Sequence, residues 1–84
     1  MKKIEYSRHA LEQMVERGAN RTEVEAAIRR GERVPAKKDR HAYRINLEYH
    51  GIWCGKKYAM KQVMPVVVEE GETFVVITVY VFFF

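Results

Sequence analysis

The spacing of the hydrophobic residues changes once along this chain, and that change constrains the fold more than any other feature. Before Gly31 the apolar residues recur every three to four positions, which is typical of amphipathic helices. From Arg40 onward they alternate with polar residues, which is typical of strands with one buried face. The pattern predicts an α+β fold with two N-terminal helices packed on an antiparallel sheet of three to four strands.

The first predicted helix begins at Ser7 and ends at Gly18. Ser7 can accept a hydrogen bond from the first turn, and Gly18 can take the left-handed conformation that ends a helix. The apolar side of this helix is formed by Leu11, Met14 and Val15. His9 points away from that side, in a stripe of polar residues. Packing does not require a histidine there, so His9 is a candidate functional residue.

The second predicted helix has Asn20 or Thr22 as its N-cap and ends at Gly31. Pro35 then marks a connection, because proline has no backbone N–H to give to a central strand. The first predicted strand starts at Arg40, and His50-Gly51 is interpreted as the turn that follows it.

Two further strands are predicted, from about Lys57 to Val68 and from Thr73 to about Phe82. Pro65 predicts an edge, a bulge or an interruption in the first of these strands. In the last strand, we expect one face to pack under the helices and the other to be open. The expected helix-facing set is Val75, Ile77 and Val79, and the expected open set is Thr78 and Tyr80 with Lys61 and Arg44 from neighbouring strands.

Basic residues concentrate in the middle of the chain. The segment from Arg29 to Arg40 carries six basic and two acidic residues, an excess equal to the whole net charge of +4. We define the basic belt as Arg29, Arg30, Arg33, Lys37, Lys38, Arg40 and Arg44. A polyanion such as RNA is a natural partner for such a belt, because phosphate neutralisation releases counterions. The alternative is an ordinary solvated helix end and loop.

The length of 84 residues predicts a single domain over 1–84. Cys54 is the one cysteine, so no internal disulfide can form, and a reducing cytoplasmic setting is the simplest expectation. The N-terminal residues lack the apolar run of a signal peptide, and the apolar segment 74–84 is too short for a membrane helix. Neither a metal site nor a cofactor is expected, since no metal-ligand spacing or glycine-rich phosphate loop is present.

Three motifs together resemble a known family. They are Ser7-Arg8-His9-Ala10, the run from Gln13 to Gly18, and Ile77-Thr78-Val79-Tyr80. They resemble a prokaryotic family catalogued as domain of unknown function 4258, over nearly the whole chain. The resemblance implies two helices followed by an antiparallel sheet, a layout similar to small RNA-cleaving toxins of the RelE and colicin type. It also implies His9 and Arg17 as motif positions, with Thr78 and Tyr80 as the strand signature.

A metal-independent endoribonuclease is therefore one hypothesis for function. His9 could act as acid or base, because an imidazole exchanges protons near neutral pH. Arg17 could hold a phosphate with its forked donors, and Lys61 could share that work. Tyr80 could donate a hydrogen bond or stack on a base, next to Thr78.

Two other classes of function stay open. A non-catalytic RNA-binding or ribosome-associated module would use the basic belt and would not need His9 as a chemical group. A protein-interaction module, such as the partner in a toxin–antitoxin pair or a homodimer, would explain the apolar end Phe82-Phe83-Phe84. Packing of that end onto the helices of the same chain is the alternative.

Overall fold

A computed structural model describes residues 2–37 and 39–84. The elements in chain order are β1 (Lys3–Tyr6), α1 (Arg8–Arg17), α2 (Arg21–Arg30), β2 (Glu32–Val34), β3 (Arg40–Trp53), β4 (Lys56–Glu70) and β5 (Thr73–Phe83). The strands form one five-stranded sheet in the order β1-β5-β4-β3-β2, in which β1 runs parallel to β5 and the other neighbours are antiparallel. The predicted α+β class with two helices is confirmed, whereas the sheet is larger than predicted and mixed.

The two short edge strands account for the difference in the sheet. β1 and β2 have four and three residues, too few to show a clear alternation in the sequence. β1 gains its partners from the far end of the chain, since Ile4 lies opposite Phe74. Neither strand is encoded by a local signal, and both depend on pairing with a longer neighbour.

The helix ends agree with the capping residues in the sequence. The hydroxyl of Ser7 accepts a hydrogen bond from the N–H of Ala10 at 3.0 Å, and Gly18 ends α1 with a φ of 79°. Asn20, not Thr22, caps α2, and its side chain and that of Glu23 bond each other's backbone N–H groups in a capping box. The sequence of each helix therefore defines where it begins and ends.

Both helices pack on the same face of the sheet. The buried cluster between them contains Ala10, Met14, Val24, Ile28, Val63, Val67, Val76 and Val79. Val15 does not join it and is 81% exposed, so its assignment to the apolar side of α1 is wrong. No helix in the described ranges is long and apolar enough to cross a membrane.

A β-bulge in β5 decides which residues face the helices. The register with β4 shifts between the pairs Val76–Val67 and Thr78–Val66, which leaves Ile77 as the extra residue. Before the bulge the even-numbered Val76 is buried, and after it the odd-numbered Val79 is buried. The expected helix-facing set was therefore right for Val79 and wrong for Val75, and Ile77 is the bulge residue itself.

Pro65 lies in a central strand without breaking it. The described pairs of β3 and β4 run from Ala42–Val66 to Ile45–Val63 and skip Pro65, consistent with the missing proline N–H. The predicted interruption is thus a local gap in one ladder. The predicted turn at His50-Gly51 is wrong: His50 has a φ of 47° at a register shift within β3, which continues to Trp53.

The C-terminal phenylalanines divide between two sides of the sheet. Phe83 stacks on Trp53, with 5.2 Å between ring centroids, and also contacts Tyr49 and Tyr58. A side chain at Gly18 would meet the Trp53 ring at 2.7 Å, so this glycine is needed for packing as well as for its positive φ. Phe82 and Phe84 remain 47% and 57% exposed.

Lys61 lies inside the molecule, contrary to expectation. It is only 5% exposed and faces the helices rather than the open side of the sheet. Its ammonium group donates to both carboxylate oxygens of Glu23, at 2.8 and 2.9 Å, and to the carbonyl oxygen of Gly18. One side chain of β4 thus holds the end of α1 and the start of α2.

Replacing Lys61 with methionine should destabilise the protein. The change leaves the Glu23 carboxylate with little solvent and no cation, so we expect the free energy of unfolding to fall by about 2–3 kcal/mol. Urea unfolding followed by circular dichroism measures this. The control is Lys57→Met at an exposed lysine of the same strand, expected within about 0.5 kcal/mol of the parent.

A double-mutant cycle tests whether the ion pair is the cause. Lys61→Met combined with Glu23→Gln should be more stable than Lys61→Met alone, because the uncompensated charge is gone. Equal losses in the single and double variants would show that packing of the lysine stem, not its charge, stabilises the fold.

Candidate functional site

The second half of β5 has α1 beside it instead of a neighbouring strand. β1 pairs with β5 only up to Tyr6 opposite Val76, and the N–H of Ser7 still donates to the carbonyl of Val76 at 2.9 Å. The chain then turns into α1. The helix therefore runs past the part of the β5 edge that β1 leaves uncovered.

Two side chains attach α1 to this edge, one near each end of the helix. The hydroxyl of Ser7 donates to the carbonyl of Ile77 at 3.3 Å, and Nη1 of Arg17 donates to the carbonyl of Val79 at 2.9 Å. Ile77 is the bulge residue, so the N-cap hydroxyl contacts the irregular point of the strand. These bonds fix the position of the helix relative to the residues that follow the bulge.

His9 is brought next to Thr78 by this arrangement. Nε2 of His9 and Oγ1 of Thr78 are 3.4 Å apart on the exposed surface. Either atom can be the donor, depending on the imidazole tautomer. The contact is long for a hydrogen bond, so the imidazole is oriented by Thr78 but stays accessible to a ligand.

Arg17 is brought next to Tyr80. Its guanidinium carbon lies 5.1 Å from the centre of the Tyr80 ring, within the range of a cation–π contact. A guanidinium has five N–H donors, and among the described residues the bond to Val79 is the one that it makes. Several donors of Arg17 can therefore contact an anion without breaking the structure.

We name these four residues the His9 edge: His9, Arg17, Thr78 and Tyr80. Thr78 and Tyr80 are two positions apart on one strand, so their side chains are about 7 Å apart on the same face. His9 and Arg17 are eight residues apart on α1, a rise of about 12 Å, and their side chains contact β5 at positions two residues apart. The site is open, and no enclosed pocket forms on the described surface.

Gln13 is a member of this region that the sequence analysis did not single out as functional. It lies on α1 between His9 and Arg17, one turn from each. Its Oε1 atom is inaccessible to solvent and has no hydrogen-bond partner among the described residues, while its Nε2 contacts Glu16 at 3.4 Å. His9, Gln13 and Arg17 follow one another at a spacing of four residues, and this spacing was the signal that could have grouped them.

Lys61 is not part of the His9 edge. Its bonds to Glu23 and Gly18 place it under the helices, so the expectation that it lies beside Thr78 on the open side is wrong. Alternation along β4 places Lys61 and Val63 on the same face, which is correct. It does not show which of the two faces the helices cover. A lysine flanked by buried valines is more simply explained as half of a buried ion pair.

The described residues of the basic belt lie on the surface at the opposite edge of the sheet. They are Arg29, Arg30, Arg33, Lys37, Arg40 and Arg44, all exposed, whereas Lys38 lies outside the described residues. Most of the belt surrounds β2, three strands or about 14 Å from β5, and Arg40 and Arg44 lie on β3, one strand nearer. The structure does not bring the belt and the His9 edge together.

Acidic residues partly neutralise the belt. Glu32 pairs with Arg44, at 2.6 Å from its Nε. A hydrogen bond from Lys2 holds the pKa of Glu69 below its usual range, and His41 and Arg33 act in the same direction. The remaining positive charge of the belt is concentrated at the end of α2 and in the following loop.

No group of three or more His, Cys, Asp or Glu side chains within residues 2–37 and 39–84 is arranged to hold a metal ion. The His9 edge offers one proton-exchanging group, one fixed cation and two hydroxyls.

Replacing Ser7 with alanine should both destabilise the protein and displace His9. It removes the helix cap and the bond to Ile77, so we expect a loss of about 1–2 kcal/mol in urea unfolding. The imidazole resonances of His9 should also shift in NMR spectra. Asn20→Ala is the matched control, because it removes a cap from α2 without touching β5. Unchanged His9 resonances in Ser7→Ala would show that the cap does not position the imidazole.

The motifs and the fold can be compared with known proteins. Searches of curated proteins and of solved structures give no match to this chain. A family model described as Domain of unknown function (DUF4258) matches residues 6–81, which include both helices and every residue of the His9 edge. The chain belongs to the DUF4258 family.

Proposed function

We propose that this protein is a metal-independent endoribonuclease in which His9 acts as the acid or base. The observation that carries the proposal is the convergence of His9 and Arg17, from one helix, on Thr78 and Tyr80 of the adjacent strand. Arg17 also attaches α1 to β5 through Val79, whereas no packing requirement explains the exposed His9 beside it. The combination suits a phosphodiester, which needs proton transfer and charge stabilisation at neighbouring atoms.

The reaction would proceed through the 2′-hydroxyl of the ribose. Its oxygen attacks the adjacent phosphorus and loses its proton, the bond to the 5′-oxygen breaks, and that oxygen gains a proton. His9 would supply one of these two proton transfers, with Thr78 beside the imidazole, and solvent water, which reaches this open surface, would supply the other. Arg17 donates to the non-bridging phosphate oxygens as negative charge develops. The hydroxyl of Tyr80 would donate a hydrogen bond to the phosphate or to the leaving oxygen.

The expectation of an RNA substrate comes from the layout that the sequence motifs imply, which is similar to small RNA-cleaving toxins of the RelE and colicin type. It is an analogy between folds and assigns no residue. The basic belt adds an independent reason to expect a polyanionic ligand.

A non-catalytic RNA-binding module is the second candidate. It is favoured by the absence of an enclosed pocket on the described surface, because enzymes commonly exclude water from the reacting atoms. It is also favoured by the distance of about 14 Å between the belt and the His9 edge. Binding and cleavage must therefore be measured separately.

Replacing His9 with alanine should reduce cleavage of RNA by at least about a hundredfold, the scale for losing one acid–base group. Gel analysis of an end-labelled single-stranded RNA measures the rate. His50→Asn is the control, since it removes an exposed histidine elsewhere and asparagine tolerates the positive φ. Equal cleavage by the His9 variant would exclude His9, and an inactive parent that binds RNA would favour the binding module.

Replacing Arg33, Lys37 and Lys38 together with glutamine should weaken RNA binding. For three phosphate contacts to a single strand, the slope of log affinity against log salt should become shallower by about 2. Fluorescence anisotropy at several salt concentrations measures this slope. The control replaces the lysines Lys3, Lys56 and Lys57 instead, which are exposed and outside the belt. Undiminished binding by the belt variant would exclude the belt as the RNA contact.

A further inference from the structure

The face of the sheet opposite the helices is uncovered and carries aromatic rings. Thr78, Tyr80 and Phe82 of β5 lie there beside Val66, Met64 and Gln62 of β4. Tyr80 and Phe82 are 40% and 47% exposed, although their neighbours Val79 and Val81 pack in or against the core. We name this surface the open face.

The open face is not a uniform apolar patch. The amide of Gln62 donates to the side-chain oxygen of Asn46 at 2.9 Å, directly beside Phe82. Arg44 is on the same face. It lies two residues after Ala42 in β3, and Ala42 pairs with Val66 of the open face. Aromatic rings next to amides and arginines are the groups that contact unpaired nucleic acid bases.

We propose that the open face binds single-stranded RNA, with unpaired bases stacked on Tyr80 and Phe82. This inference rests on the proposed function only in taking RNA as the ligand, and does not need His9 to be catalytic. It names the form of RNA that the protein binds and a residue, Phe82, that contacts it.

The spacing of the rings excludes a duplex as the preferred ligand. Tyr80 and Phe82 are two residues apart on a strand, which separates them by about 6.8 Å. Stacked bases in a duplex are about 3.4 Å apart and already cover one another's faces. Each ring can therefore take one base only if the RNA is extended and unpaired.

Charge complementarity gives the backbone of such an RNA a place beside the rings. Arg17 lies 5.1 Å from the Tyr80 ring, and its described partners are that ring and a carbonyl rather than a carboxylate. A base on Tyr80 would put its phosphate within reach of this guanidinium. Arg44 of the basic belt lies on the open face two strands from Tyr80, and the rest of the belt lies at the far edge, about 14 Å away, so a strand of RNA crossing the open face would contact both basic regions.

The exposed ring area fits a few bases better than a second protein chain. With about 200 Å² for each aromatic side chain, Tyr80, Phe82 and Phe84 leave about 300 Å² exposed. A stable protein interface needs about 800 Å² from each partner. The open face also contains the Gln62–Asn46 pair and the charged Arg44. Such residues are uncommon in the core of a homodimer interface, which is depleted in charge.

The test uses fluorescence anisotropy with a labelled 12-nucleotide 2′-O-methyl oligouridine, which cannot be cleaved through its 2′-oxygen, and a 12-base-pair RNA duplex. Phe82→Ala should weaken binding of the single strand at least about fivefold, the effect of losing one stacked base. Phe82→Tyr keeps a ring and should stay within about twofold of the parent. Val15→Ala is the control at an apolar residue of α1 that is 81% exposed, away from the open face, and should change nothing.

Urea unfolding of Phe82→Ala checks that this variant is folded. If it is not, the comparison of single-strand with duplex binding in Phe82→Tyr still tests the inference. Unchanged single-strand affinity in Phe82→Ala, or tighter binding of the duplex than of the single strand, would overturn the inference. The inference would also be overturned if Phe82→Ala changed the protein from dimer to monomer in analytical ultracentrifugation without changing its RNA affinity. That result would assign the open face to self-association.

The outcome is distinguishable from failure of the proposed function. If Phe82→Ala weakens binding while His9→Ala leaves cleavage unchanged, the open face is supported and catalysis by His9 is rejected. If Phe82→Ala has no effect while His9→Ala abolishes cleavage, the reverse holds. If the parent protein binds neither the single strand nor the duplex, both the inference about the open face and the proposed function are overturned.

Discussion

The ion pair between Lys61 and Glu23 joins the helical layer to the sheet. Glu23 also closes the capping box with Asn20, and Lys61 also bonds the last carbonyl of α1 at Gly18. The turn between the helices is thus attached to the middle strands at one buried point. Because a buried charge is costly without its partner, helices displaced from this point would lose the pair, which selects a single arrangement of the two layers.

The bulge at Ile77 converts this arrangement into a site. The extra residue shifts the alternation of β5 by one position. Val76 and Val79 therefore both lie in the core, and Thr78 and Tyr80 face outward. The same irregular point receives the hydroxyl of Ser7. The helix cap and the strand irregularity are therefore one structural unit, and the position of His9 beside Thr78 depends on both.

Local signals in the sequence predicted the local structure. The caps at Ser7, Asn20 and Gly18 and the outward direction of His9 follow from helix periodicity and end chemistry. The side of the sheet that faces the helices does not, because alternation along a strand defines two faces without saying which is covered. Lys61 was misplaced for this reason, and a bulge such as that at Ile77 has no sequence signature in a run of β-branched residues.

The pairing of β1 with β5 has a consequence for how the chain folds. Ile4 and Phe74 lie opposite each other although 70 residues separate them, and such long-range closure is slow because its entropy cost comes before its contacts form. The β3–β4 hairpin needs only the two-residue turn at Cys54-Gly55, where both φ values are positive. We therefore expect the hairpin to form early, and the edge that carries His9 to be completed after the two distant strands have met.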